Sequence, residues 1–185
     1  MKHPSSRDFF AYWDEKRAGA RAPERSKIEP GAVRELLGDI FVLSYDSAAG
    51  YPFRVAGTRI CALLGRDLRD RSFSSLFTQD GRREIEDIIT VVTEEMLAAV
   101  AGITATSEDG ATAHLELLLL PFNNRAHTPL SLTGSLAPFG GGHSALRDFK
   151  LTSWRYLDHP PQRLVPRALR KLRIARGFMV YEGLR

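Results

Sequence analysis

The chain has 185 residues, 43% of them hydrophobic and 26% charged, which fits one globular domain with elaborated ends better than two domains. Fifteen Gly and ten Pro are near average usage and exclude a collagen or a low-complexity linker, and the single cysteine, Cys61, excludes an internal disulfide. The formal net charge of +4 is unevenly placed: residues 160–185 carry +6, from Arg163, Arg167, Arg170, Lys171, Arg173, Arg176 and Arg185 against Glu182, so the remainder is mildly acidic.

The first residues, MKHPSSRDFFAYW, lack the apolar run of a secretory signal. The apolar stretches LELLLLPF and IITVV fall well short of the ~20 residues that cross a bilayer, so a cytoplasmic location is expected. Ser5 or Ser6 suits the cap of an amphipathic helix that stops near Gly19. Phe9, Phe10 and Trp13 share one face of it, and left undocked they form an apolar stripe; a homodimer through this stripe or through the outer sheet face is expected. A second short helix is expected in IEPGAVRELLGD, with Pro30 in its first turn and Gly38 at its end.

Next, DIFVLSYD and YPFRVAGT read as a β-hairpin joined by SAAG. Thr58 then suits the cap of a helix in RICALLG that ends at Gly65, and irregular chain carrying Phe73 and Phe77 follows. The longest helix is expected over about residues 80–101, because Ile85, Ile88, Ile89, Val92, Met96 and Val100 recur at three- and four-residue steps. Beyond Gly102, three segments alternate or run apolar, with turn chemistry at Glu108-Asp109-Gly110 and Asn123-Asn124. Together these elements make an α+β domain, a five-stranded antiparallel sheet carrying its helices on one face. Phe53, Ile60, Phe73, Phe77, Ile89, Val92, Leu115, Leu117 and Leu132 are expected to enclose whatever pocket lies between helix and sheet.

The string YPFRVAGTRICALLGRDLRDRSFSSLF, with its Gly57-Thr58 and Gly65-Arg66-Asp67-Leu68 elements, resembles the middle of the single-domain PAS proteins of alphaproteobacteria. The upstream PERSKIEPGAVRELLGDIFVLSYD is similar to the segment that precedes it there, and the resemblance spans roughly residues 9–138. Asp70-Arg71 stands where that family has a glycine. The one plausible boundary lies at FGGGHSA, where the glycines at 140–142 are expected to release the chain from the last strand, giving an N-terminal helical segment (1–38), a PAS-like core (39–139) and a C-terminal extension (140–185). The resemblance implies a sensory, signalling or protein-interaction module that holds a small apolar ligand between sheet and helices or binds a protein partner.

The residues offer no catalytic or metal constellation, and no cofactor can be named from them. Cys61 lacks the neighbours of a flavin-photoadduct cysteine, and His114 alternates with Leu115 onto the outer face of its strand, away from any haem pocket. Thr133-Gly134-Ser135-Leu136-Ala137 lacks the flanking glycines of a nucleophile elbow. His114-Leu115-Glu116 lacks the second cysteine a zinc deaminase needs, and Gly140-Gly141-Gly142 has no following Lys-Ser or Lys-Thr. Glu84, Glu86, Asp87, Glu94 and Glu95 read as the solvated face of the long helix.

In the C-terminal extension, VPRALRKLRIARG reads as a basic amphipathic helix. Its Leu169 and Leu172, with Arg167, Arg170, Lys171 and Arg173, are the candidate partner-binding residues. Protein docking is the leading expectation for this tail, ahead of a solvated helix packed on its own domain; nucleic acid or a membrane surface comes last, because no aromatic interleaving or recognition motif accompanies the charge. The alternatives from other classes are a nucleic-acid-associated regulator acting through the tail and an unrecognised enzyme.

Overall fold

The computed structural model describes residues 1–123, 128–142 and 144–157, together with the backbone of 169–175 and 178–183. Helix α1 (Pro4–Arg17) leads through 3₁₀ turns at Arg25–Lys27 and Pro30–Asp39 into the hairpin β1 (Ile40–Ser44) and β2 (Phe53–Ala56). Helix α2 (Thr58–Leu64), a 3₁₀ turn (Phe73–Leu76) and helix α3 (Gln79–Glu95) follow, then β3 (Ala98–Thr106), β4 (Thr112–Pro121), β5 (Ser131–Phe139) and β6 (Arg147–Leu157).

The sheet has the order β2-β1-β5-β4-β3-β6, and every neighbouring pair is antiparallel. It has six strands where the sequence suggested five. The glycines at 140–142 do not release the chain; it returns as β6 to pair along β3. The expected extension therefore contributes a strand of the main sheet.

Strand β4 shows why the sheet is covered on both sides. Ala113, Leu115, Leu117 and Leu119 join the cluster formed with α2, α3 and the 3₁₀ turn, whereas Leu118 and Leu120 join a second cluster with Phe9 and Trp13 of α1, Val33, Ala98 and Val100. Helices α2 and α3 share one face as expected, and α1 covers the other. An apolar run with side chains buried on alternating sides requires a layer on each.

Several local boundaries follow from backbone chemistry. Helix α1 begins at Pro4, and its cap is His3, whose Nδ1 accepts from the Ser5 N–H at 3.2 Å, not Ser5 or Ser6. Helix α3 stops at Met96, which turns left-handed (φ 55°), so the expected extent to residue 101 overran. The three- and four-residue spacing of Val92, Met96 and Val100 crosses that boundary by coincidence, since Val100 lies in β3 and packs with the α1 cluster. At α2 the cap position is Gly57, not Thr58, and Gly65 ends the helix left-handed as expected.

Gly57 is required by close approach: a Cβ there would lie 2.3 Å from the carbonyl oxygens of Leu37 and Gly38. Asp70, standing where the resembling family has glycine, adopts a positive φ of 61°. Aspartate tolerates this better than most residues, and its Oδ1 accepts from Arg54 Nη1 at 2.8 Å.

The backbone of β7 (Leu169–Ala175) pairs antiparallel with β8 (Phe178–Gly183), which corrects the amphipathic helix expected across 169–175. The helical reading considered one segment alone, whereas a hairpin draws its stability from a partner strand, here FMVYEG, that lay outside the window. Residues 158–168, including Arg167, lie outside the described residues.

Candidate functional site

The nine residues expected to enclose an interior pocket do converge. Phe53, Ile60, Phe73, Phe77, Ile89, Val92, Leu115, Leu117 and Leu132 all belong to the cluster between the sheet and α2 and α3, each between 0 and 2% exposed. Their side chains fill that space themselves. Phe73 is the hub: its ring stacks on Phe41 at 5.2 Å and tilts against Phe53 at 5.5 Å and Phe77 at 5.7 Å, and Phe77 meets Phe149 edge-on at 5.9 Å. The sequence reading missed Phe41 and Phe149. Phe41 stood in a recognised strand with no indication of its face, and Phe149 stood in β6, which was not recognised.

Polar chemistry appears at the margin of this core. The Tyr51 hydroxyl is 2.9 Å from Thr93 Oγ1, and Thr93 in turn donates to the Ile89 carbonyl at 3.0 Å. Burial raises the Tyr51 phenol above its ordinary range. Burial also raises Tyr156, helped by the nearby Glu95 and Asp87 carboxylates, so both phenols stay neutral. Cys61 is half-buried in α2 with its Sγ 4.0 Å from the Ala56 carbonyl. Among the described residues no group of three His, Cys, Asp or Glu side chains is placed to hold a metal.

The second candidate region is the opposite face, where α1 lies. Phe9 and Trp13 are fully buried against the chain's own sheet, and Phe10 stacks on Trp13 at 5.9 Å. This corrects the picture of a stripe left open for a partner, and it removes the motive for a homodimer through that stripe. Two polar anchors hold the helix. The Trp13 indole N–H donates to the Pro121 carbonyl at 2.9 Å, and the Glu116 carboxylate accepts the N–H of Lys2 at 2.6 Å and of His3 at 3.0 Å. Glu116 is only 5% exposed, and the sequence reading considered it only as a deaminase remnant beside His114. The signal that could have found it is its place in β4: Glu116 shares its side of the strand with Leu118 and Leu120, and a carboxylate on a covered face needs donors.

Two hydroxyls in this layer, Ser6 Oγ on α1 and Ser135 Oγ on β5, are buried without a hydrogen-bond partner among the described residues. Beyond the N-terminal end of α1 the layer opens into a groove of about 710 Å³ over Gly102, whose lining includes Lys2, His114, Glu116, Phe139, Ser153 and Arg155. His114 is exposed on this outer face, as its alternation suggested. The backbone of Leu169, Arg170, Lys171, Leu172 and Arg173 lies in β7. No helix among the described residues is long and apolar enough to cross a membrane.

Comparison with known proteins adds one family. The family model described as a PAS domain matches residues 1–137. No curated protein sequence matches the chain. Among solved structures, the chain is similar to a light-oxygen-voltage domain studied with a flavin analogue, at 12% identity and a TM-score of 0.47, covering 60% of this chain and 83% of that one. It is similar to an RNA-binding light-oxygen-voltage receptor at 19% identity and a TM-score of 0.46, covering 59% of this chain and 33% of that one. The light state of the Aureochrome1 blue-light photoreceptor domain gives 12% identity and a TM-score of 0.44, covering 59% of this chain and 87% of that one.

Proposed function

The chain belongs to the PAS domain family, and from that membership we propose a sensory signalling module whose output element is the N-terminal helix α1. The observation that carries this reading is the asymmetry between the two layers. The core between sheet and helices is sealed by interlocking aromatic rings. The layer under α1 is held by a few specific contacts and buries two hydroxyls without partners among the described residues, against one, Tyr156 Oη, at the margin of the other layer. An unsatisfied buried hydroxyl costs roughly 1–3 kcal/mol, so this layer is poised to open first.

Release of α1 uncovers Ala98, Val100, Leu118 and Leu120, an apolar patch that a protein partner can cover in its place. The helix thereby converts a change in the domain into a change of binding surface. In this reading a small apolar ligand, where one enters, displaces rings of the Phe73 cluster, and the change passes to α1 through β4, whose alternate residues face the two layers.

Hydrogen exchange of the intact chain, followed by mass spectrometry, tests the proposal. The amides of α1 should exchange well before those of α3 and without loss of protection in β4 and β5. Exchange of α1 and α3 together, in one global step, would remove α1 as a separate output element.

A further inference from the structure

We propose that the outer face of the sheet carries a binding site for a small organic carboxylate, seated in the groove over Gly102 and distinct from the aromatic core. A sheet face ordinarily presents a side chain at each such position, and Gly102 presents none. The register shifts between Gly102 and Ile103, where β3 pairs with β6, and brings two hydroxyls to this one spot. Thr152 Oγ1 and Ser153 Oγ lie 2.8 and 3.0 Å from the place a Cβ of Gly102 would occupy.

Across the strand, Glu116 pairs with Gly102, and its two oxygens each accept a backbone N–H from the chain leading into α1. Glu116 also lines the groove, but each of its oxygens is engaged by one of these N–H groups, and Arg155, Thr152 and Ser153 offer donors beside it. Arg155, exposed at its side, makes no ion pair among the described residues. Phe139, 41% exposed, stands at the rim with the His3 ring edge-on at 5.6 Å.

The Arg155 guanidinium fork and two hydroxyls, with Lys2 and His114 on the same lining opposite the Glu116 charge, and an apolar rim fit a planar monoanion with an apolar or aromatic body. A dianion would sit too close to the Glu116 charge, and a neutral molecule would leave the guanidinium unused. The groove, at about 710 Å³, matches the ~300–1,000 Å³ typical of small-molecule sites. Its wall is the chain that Glu116 clamps, so an occupant would touch the anchor of α1.

The test is a titration of the ¹⁵N-labelled intact chain with benzoate, with benzyl alcohol as the neutral comparator and inorganic phosphate, buffered above its second pKa, as the dianion. Benzoate should give saturable amide shifts at Gly102, Thr152, Ser153 and Arg155, and the half-saturation point should rise about tenfold in Arg155→Gln. Ser153→Ala should weaken it as well, while Arg147→Gln, at the far end of β6, should leave it unchanged. These surface changes leave the core intact, so dispersed spectra of each variant keep the comparison valid. Shifts that never saturate, an equal response to benzyl alcohol, saturation by phosphate in place of benzoate, or indifference to Arg155→Gln would each overturn the proposal. Saturable benzoate binding by the parent chain that weakens in Arg155→Gln sustains the proposal even where α1 exchanges together with α3, because the site does not depend on α1 being the output element.

Discussion

The Trp13 indole N–H donates to the Pro121 carbonyl oxygen at 2.9 Å, a buried bond that ties the middle of α1 to the last residue of β4. Trp13→Phe keeps an aromatic body but leaves that carbonyl without this donor, and should cost ~1–2 kcal/mol. Trp13→Ala also removes the packing of a fully buried ring and should cost ~3–5 kcal/mol. Urea unfolding of the two variants measures both losses. Should the alanine variant lose no more than the phenylalanine variant, α1 is not held by packing on the sheet.

The aromatic core makes a different demand. Phe73 touches three other rings and is 1% exposed, so Phe73→Ala should destabilise the chain by ~3–5 kcal/mol and leave an apolar cavity at the centre of the cluster. Such a cavity stays dry and takes up small apolar guests. Benzene should therefore raise the melting temperature of this variant and not of the parent chain. Equal response of both proteins would mean that the core already holds accessible space.

Strand alternation and the α3 periodicity identify a buried side for Phe53, Ile89, Val92, Leu115, Leu117 and Leu132 without reference to the rest of the chain, whereas Ile60 follows from the helical spacing of α2 and Phe73 and Phe77 from their aromatic bulk alone. Sequence alone did not reach β6, where Phe149 is buried but Asp148, Lys150, Thr152 and Ser153 are exposed, the pattern of an edge strand that an isolated reading takes for loop. It also showed that Phe9 and Trp13 form a stripe without showing what covers it. The run Leu117-Leu118-Leu119-Leu120 held that answer, since a strand apolar on both sides needs two layers and α1 was the helix left to supply the second. Gly102, Thr152 and Ser153 were out of reach because their meeting depends on a register shift between β3 and β6, which no single segment encodes.

The β1–β2 turn predicts a pH dependence. Asp46 Oδ1 accepts the N–H groups of Ala48 and Ala49, each at 3.0 Å, and these bonds, aided by Arg54, hold its carboxyl below the ordinary value of 3.8. A group whose folded pKa is lowered contributes stability above its unfolded value, and the contribution is lost as pH falls through the folded value. Asp46→Ala should therefore be less stable than the parent at neutral pH, and the gap should narrow once pH drops below about 3.8. Urea midpoints of the pair across an acid series measure it, and a gap independent of pH would assign the turn's stability to the backbone alone.

The glycine of the Gly57-Thr58 element can be tested against its neighbour Gly38. At Gly57 the backbone is ordinary extended chain (φ −66°, ψ 155°), so alanine there meets no dihedral strain. What it meets is backbone: the carbonyl oxygens of Leu37 and Gly38, 2.3 Å from the new Cβ, which no side-chain rotation relieves. The 3₁₀ turn that carries them would have to shift, and with it the Arg59 guanidinium, which spans Asp39 at 2.7 and 2.9 Å and the Glu35 carbonyl at 2.8 Å. At Gly38 the nearest atoms, from 2.8 Å, belong to the Arg59 side chain, which can turn aside without moving backbone, though only by loosening its bonds to Asp39 and the Glu35 carbonyl. Gly57→Ala should cost ~1–3 kcal/mol or more, and Gly38→Ala clearly less, although both add one methyl group at the same junction. Chemical unfolding of the two variants side by side decides it. Equal losses would mean that the fit between the 3₁₀ turn and the start of α2 is looser than these distances require.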